Sequence, residues 1–253
     1  MAQIICIANQ KGGVGKTTTA INIAAAMADA GKDTLLVDCD PQANATTGIG
    51  VNKSDLTYTL YHGLIGEASA QDTVVDTYLK KLKIIPSRVE LIGFEVEMMN
   101  QPNREKILKN LLHSLSASFD YIIIDCPPSL SLLTLNAMTA ADYILIPLQS
   151  EFYALEGLGQ LLQTVKKIKE NLNPGLRISG IVLTMFDKRT NLSLQVAENA
   201  EKYFKELVFK TRIPRNVRLG EAPSFGKPII HYDSASTGSI NYLRLAKEIM
   251  KAC

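Results

Sequence analysis

The chain has 253 residues, 46% of them hydrophobic, with a formal net charge of +2. That length and apolar content suffice for one sizeable core, and a single domain spanning 1–253 is expected. No stretch approaches 18 uninterrupted apolar residues and Met1 leads directly into a strand pattern, which points away from membrane-spanning and secreted classes and toward the cytoplasm. Cys6, Cys39, Cys126 and Cys253 show no Cys-x-x-Cys spacing, and the first three lie in or beside apolar runs. Reduced, buried thiols are expected rather than a disulfide framework or an iron–sulfur site.

In chain order, the first strand is predicted over Gln3–Asn9 and a helix over Thr19–Ala30. Between them lies Lys-Gly-Gly-Val-Gly-Lys-Thr-Thr, residues 11–18. A glycine-rich turn between a buried strand and a helix exposes several backbone N–H groups at the positive helix end, so the bend suits a polyphosphate. Lys16 is placed to reach β and γ oxygens, and the Thr17 hydroxyl to help hold Mg²⁺. The usual spacing of such loops wants a glycine where Gln10 stands; a second lysine, Lys11, follows it.

A second strand at Thr34–Asp38 runs into Asp40 and Pro41, and Leu82–Ile85 reads as a third. The segments 44–70 and 89–103 carry no legible period. Helical spacing of Ile107, Leu108, Leu111, Leu112 and Leu115 marks a helix over Arg104–Ser116. The run Tyr121–Asp125 then delivers one carboxylate after four apolar or aromatic positions, and a bare buried aspartate there needs a partner. Further strands are expected at Tyr143–Pro147, Ile178–Thr184 and Val208–Ile213, with helices at Tyr153–Leu172 and Leu192–Phe204 between them. At the C-terminus, Tyr242, Leu245 and Ile249 or Ile240, Leu243, Ala246 and Met250 form the stripe of a packed terminal helix. Continuous apolar strands separated by helices imply an α/β fold, a doubly wound, mostly parallel sheet with helices on both faces. In such sheets ligands sit at the carboxyl ends of the strands.

The sequence Asn9-Gln-Lys-Gly-Gly-Val-Gly-Lys-Thr-Thr-Thr-Ala-Ile-Asn-Ile-Ala is similar to the deviant Walker A motif of the ParA/MinD group of P-loop ATPases, and its wording resembles the ParA/Soj partition branch. Ile122–Asp125 resembles a Walker B strand, and Leu35-Leu-Val-Asp-Cys-Asp40 the group's second acidic motif. The resemblance reaches from residue 3 to about residue 240. It implies that Gly12, Gly13, Val14, Gly15, Lys16, Thr17 and Thr18 cradle ATP or ADP. Thr17, Asp38 and Asp125 would serve the Mg²⁺ shell, and Asp40 would orient the attacking water. Lys11 would cross a homodimer interface to the partner's nucleotide, where it adds charge during a slow, partner-stimulated hydrolysis. Pro214 and Asn216 would hold adenine, and Glu151 would lie near the ribose across the dimer.

Residues 1–150 hold 11 Lys and Arg against 15 Asp and Glu, whereas residues 151–253 hold 16 against 10. Within Lys188–Arg218 eight bases meet three acids, a balance that suits a polyanion. By the resemblance, ATP dimers of this type bind double-stranded DNA without sequence preference, with Lys188, Arg189 and Arg218 the candidates here, on the nucleoid. A ParB-type centromere-binding protein would trigger hydrolysis and release. The alternative is a MinD-like membrane switch, which wants a basic amphipathic C-terminal anchor.

Overall fold

The apolar runs assemble into one sheet. The computed structural model describes residues 1–151 and 154–253. The strands are β1 (Gln3–Ile7), β2 (Thr34–Asp38), β3 (Val75–Asp76), β4 (Leu82–Ile85), β5 (Tyr121–Asp125), β6 (Tyr143–Gln149) and β7 (Arg177–Thr184). Their spatial order is β3-β4-β2-β5-β1-β6-β7, parallel throughout except for β3 against β4. The α-helices are α1 (Lys16–Asp29), α2 (Asn44–Gly48), α3 (Leu60–Ile65), α4 (Gly93–Glu97), α5 (Ile107–His113), α6 (Leu132–Ala140), α7 (Ala154–Asn171), α8 (Asn191–Phe204), α9 (Val217–Glu221), α10 (Ile229–Tyr232) and α11 (Thr237–Ala252). The predicted helix start at Tyr153 lies outside the described residues.

Strand side chains alternate between the two faces, and both faces are covered. Cys6, Leu35, Val37, Ile122, Ile124, Ile144 and Ile146 pack with α3, α5, α6, α7 and α8. Ile5, Ile7, Leu36, Ile84, Ile123, Leu145 and Val182 pack with α1, α2, α10 and α11. Every residue of β2 and β5 is buried, which is why these strands read as unbroken apolar runs. Helix α1 is buried over most of its surface because α11 closes over it, and the Thr19 and Tyr242 hydroxyls join the two helices at 3.1 Å. The terminal helix buries Tyr242, Leu245, Ala246 and Ile249, while Ile240 and Leu243 remain exposed.

One expected strand is corrected. Val208–Ile213 runs beside β7 but bonds to it only at its ends, Phe209 N–H to the Ile181 carbonyl at 2.9 Å and Ile213 N–H to the Leu183 carbonyl at 2.8 Å. The intervening N–H groups of Lys210 and Thr211 go to the Glu248 carboxylate of α11 instead of to a ladder.

Candidate functional site

The phosphate-type loop is pinned at both ends. The Asn9 side chain donates to the Pro147 carbonyl at 2.7 Å and accepts the Lys11 N–H at 3.0 Å, tying the loop's start to β6. At the other end, the Thr184 hydroxyl donates to the Val14 carbonyl at 2.8 Å. Gly13 and Gly15 lie in the left-handed region, φ 75° and 85°, where a side chain would be strained. Gly15 caps α1 with no side-chain hydrogen bond, so the first N–H groups of α1 have neither an intrahelical partner nor a capping oxygen. An anion suits that end. The loop opens on a cleft of about 380 Å³, lined among others by Gly12, Gly13, Lys16, Thr17, Asp40 and Pro128. Lys16 is almost fully buried, and its ammonium donates to the Lys11 carbonyl at 3.1 Å. Burial lowers its pKa, against the pull of Asp125, Cys126 and Asp40.

Register brings the acidic residues to this cleft. Asp125 pairs with Ile7 on β1 and with Asp38 on β2, so two carboxylates end neighbouring central strands beside the loop that follows β1. Their surroundings differ. Asp38 is buried and accepts the Thr46 N–H and hydroxyl, each at 2.7 Å, and the Asp40 N–H at 3.2 Å. These donors hold its charge against burial, which pushes its pKa up. Both Asp38 oxygens are therefore engaged in building the turn that carries Asp40. Asp125 is equally buried, and among the described residues neither of its oxygens finds a hydrogen bond of normal geometry. Burial and the Asp38 charge hold its pKa well above the carboxylate range, opposed by the nearby Thr17 hydroxyl and Lys16 ammonium. Asp40 is 8% exposed and caps the turn at Gln42 N–H, at 2.9 Å.

A second cavity of about 240 Å³ adjoins the loop at Gly15 and Thr18 and is walled by Ile213, Pro214, Asn216 and Tyr242. The structure thus brings the two predicted base-site residues next to the phosphate loop. Asn216 caps α9 through the Arg218 N–H at 2.8 Å and donates to the Thr237 hydroxyl at 3.0 Å. Met185, which no pattern had marked, lines both cavities at φ 50°. A non-glycine residue in that region is strained, a frequent sign of a functional position. Thr46 and Thr184 were missed as well; each is a threonine whose hydroxyl holds a site element rather than a ligand.

Lys11 and Glu151 face each other within one chain. The Lys11 ammonium lies 2.7 Å from the Glu151 carboxylate, whose other oxygen accepts from Gln149. Both side chains are about half exposed. Further along the same strand edge, bridging of Phe186 with Pro214 sets the segments carrying Lys188, Arg189 and Arg218 side by side. Arg189 is 82% exposed but grips Asp187 through two nitrogens at 2.9 and 2.7 Å. Arg218 pairs with Glu221 at 2.8 Å and Arg212 with Glu201 at 2.6 Å. Asp187 and Glu221 lie just outside the basic window, and over 187–221 the balance becomes eight bases against five acids. The patch is weaker than the narrower count implied.

Residues 2–178 match the AAA domain family AAA_31. Over 251 residues the chain is 55% identical to the chromosome partitioning protein ParA of Myxococcus xanthus, covering 99% of this chain and 89% of that protein. It is 53% identical to the sporulation initiation inhibitor protein Soj of Bacillus subtilis, with 98% of each covered. Among solved structures, cobyrinic acid a,c-diamide synthase from Mycobacterium smegmatis with bound ADP and magnesium superposes with a TM-score of 0.87 at 35% identity, covering 99% of this chain and 95% of that one. Sequence, sheet order and the geometry of the phosphate loop agree: the chain belongs to the ParA/Soj family of chromosome-partitioning ATPases.

Proposed function

We propose that the chain binds Mg-ATP, hydrolyses it slowly, and uses the nucleotide state to switch between a DNA-bound homodimer and a released form in the cytoplasm, associated with the nucleoid. The observation that carries the nucleotide part is Asp125: a buried carboxylate with no hydrogen bond of normal geometry among the described residues, beside a buried lysine, the Thr17 hydroxyl and an uncapped helix N-terminus, fits the hydrated shell of a cation held by a polyphosphate. Mg²⁺, when bound, neutralises charge on the β and γ oxygens. Thr17 and Asp125 are the residues to hold it. Asp38 supports the turn, Asp40 orients water at the cleft, and Lys16 exchanges its contact with the Lys11 carbonyl for phosphate oxygens. Positioning and charge stabilisation of this kind supply most of the rate in phosphoryl transfer.

Lys11 completes the partner's site in the dimer, a role that requires it to leave Glu151. DNA is bound without sequence preference through Lys188, Arg189 and Arg218, of which the two arginines must also exchange their carboxylate partners for phosphates. A ParB-type centromere-binding protein accelerates hydrolysis. Against the membrane alternative stands α11, whose apolar stripe is buried against α1 and the sheet. The test is Lys16→Ala, read by ATP binding, ATPase rate and ATP-dependent retention on nonspecific DNA beside anionic liposomes. All nucleotide-dependent signals are expected to vanish, and wild-type turnover in that variant would sink the assignment.

A further inference from the structure

The second cavity owes its wall to an element with no regular backbone ladder. Among the described residues the run 208–213 donates backbone N–H groups to β7 only from Phe209 and Ile213, with Val208 bridged to Ile181, and the chain then forms Pro214–Asn216 directly at the cavity. What fills the gap is one side chain from α11. Glu248 accepts the Lys210 N–H at 3.1 Å, the Thr211 N–H at 3.2 Å and the Thr211 hydroxyl. A carboxylate is the ordinary side chain that can accept two backbone N–H groups and a neighbouring hydroxyl without supplying a competing donor. The same helix meets the cavity twice more, through Tyr242 in its wall and through Thr237, which accepts from Asn216. On the other side Phe209 packs over Gly180 so closely that a Cβ there would come within 2.4 Å of its ring, which leaves the run no room to slide along β7. Helix α11 therefore sets the position of Ile213–Asn216 from outside the cavity, and Glu248 is its grip on the backbone.

We propose that Glu248 is a positioning residue for nucleoside recognition: it holds 208–213 in register with β7 so that Ile213–Asn216 presents a fixed wall beside the phosphate loop. The proposal rests on the nucleotide reading above and extends it to a residue that touches neither cavity. Its signature is a split between base and phosphate. In Glu248→Ala the phosphate loop, pinned by Asn9 and Thr184, keeps its shape while the base wall loosens.

Calorimetry with ATP and with inorganic tripolyphosphate, both with Mg²⁺, separates the two. ATP affinity is expected to fall about tenfold, ~1.4 kcal/mol, with tripolyphosphate affinity changed less than twofold; Glu248→Gln, which keeps acceptor oxygen, is expected to recover part of the loss. Equal weakening of both ligands, or unchanged ATP affinity, overturns the proposal. Should Glu248→Ala fail to fold, Thr211→Val removes one of the three donors, and an unaltered ratio of the two affinities there overturns it equally. Failure of the wild-type chain to bind either ligand would instead bring down the nucleotide reading and the proposal with it, whereas tripolyphosphate binding without ATP preference refutes the base wall alone.

Discussion

Removal of the charge at Asp125 should make the nucleotide-free protein more stable while making it unresponsive to Mg-ATP. In Asp125→Asn the shape is kept, no hydrogen bond of normal geometry is lost, and a fully buried carboxylate opposed only by the nearby Thr17 hydroxyl and Lys16 ammonium disappears. The effective desolvation penalty of one buried ion is several kcal/mol, and Lys16, which loses a favourable charge, offsets much of it, leaving an expected net gain of about 1–2 kcal/mol. At about 2–4 °C per kcal/mol for a chain of this size, the melting temperature should rise by several degrees. The sign follows from linkage. A carboxyl whose pKa is raised on folding holds its proton more tightly when folded, so stability falls as pH climbs from the unfolded value of about 3.9 toward the folded one. The advantage of the variant is therefore absent near pH 4 and grows as pH rises toward the raised folded value. Saturating Mg-ATP should reverse the order, because ligand at 100 times its Kd stabilises the wild type by about 2.7 kcal/mol and the variant far less. Scanning calorimetry across pH, in EDTA and in Mg-ATP, gives all four arms. A folded variant that melts below the wild type at pH 7 in EDTA would show that Asp125 has a stabilising partner and that the site was misjudged.

Glu151→Gln should lower the ATP concentration needed for dimerisation, by light scattering, if the intrachain pair with Lys11 competes with its deployment; as an exposed pair it is worth at most about 1 kcal/mol per subunit, a fewfold shift. If Glu151 instead contacts the partner's ribose, the same variant dimerises less readily, so the direction of the shift decides. Lys11→Ala should weaken the ATP dimer in either case, and an unchanged dimer refutes the shared site. Arg189→Glu and Arg218→Glu should reduce retention on all DNA sequences and flatten its salt dependence while ATP binding persists. Retention unaltered by both would assign the basic segment to another acidic partner.

The strands of the central sheet were legible because burial on both faces makes them unbroken apolar runs, and the phosphate loop because glycines at positive φ are demanded by its geometry. The segment 89–103 was not legible, since its short helix α4 is held by Phe94 and Leu91 in the core while Val89, Ile92, Val96 and Met99 face outward. Such a pattern has no clean period. Two-residue β3 is likewise too short to leave one. At the site, residue types foretold which groups would meet but not their pairing. Asp38 and Asp125 are chemically alike in sequence, and only the fold supplies Thr46 to one and no hydrogen bond of normal geometry to the other. The arginine partners Asp187 and Glu221 lay outside the counted window for the same reason: local charge sums do not reveal which carboxylate a side chain will reach.

The incomplete pairing along 208–213 has a consequence for colloidal behaviour. An open sheet has two margins, and a bare margin invites another chain to add a strand. Here one margin is the two-residue β3, whose Asp76 is tied across to Lys83 at 2.8 Å, too short and too charged to template a strand. The other is screened over its C-terminal half by 208–213, which bonds to Ile181 and Leu183 of β7 and turns the Lys210 and Thr211 donors to Glu248. The screened stretch of each margin offers no register to a neighbour, so Glu248→Ala, which frees the Lys210 and Thr211 N–H groups, should lower the concentration at which the protein precipitates.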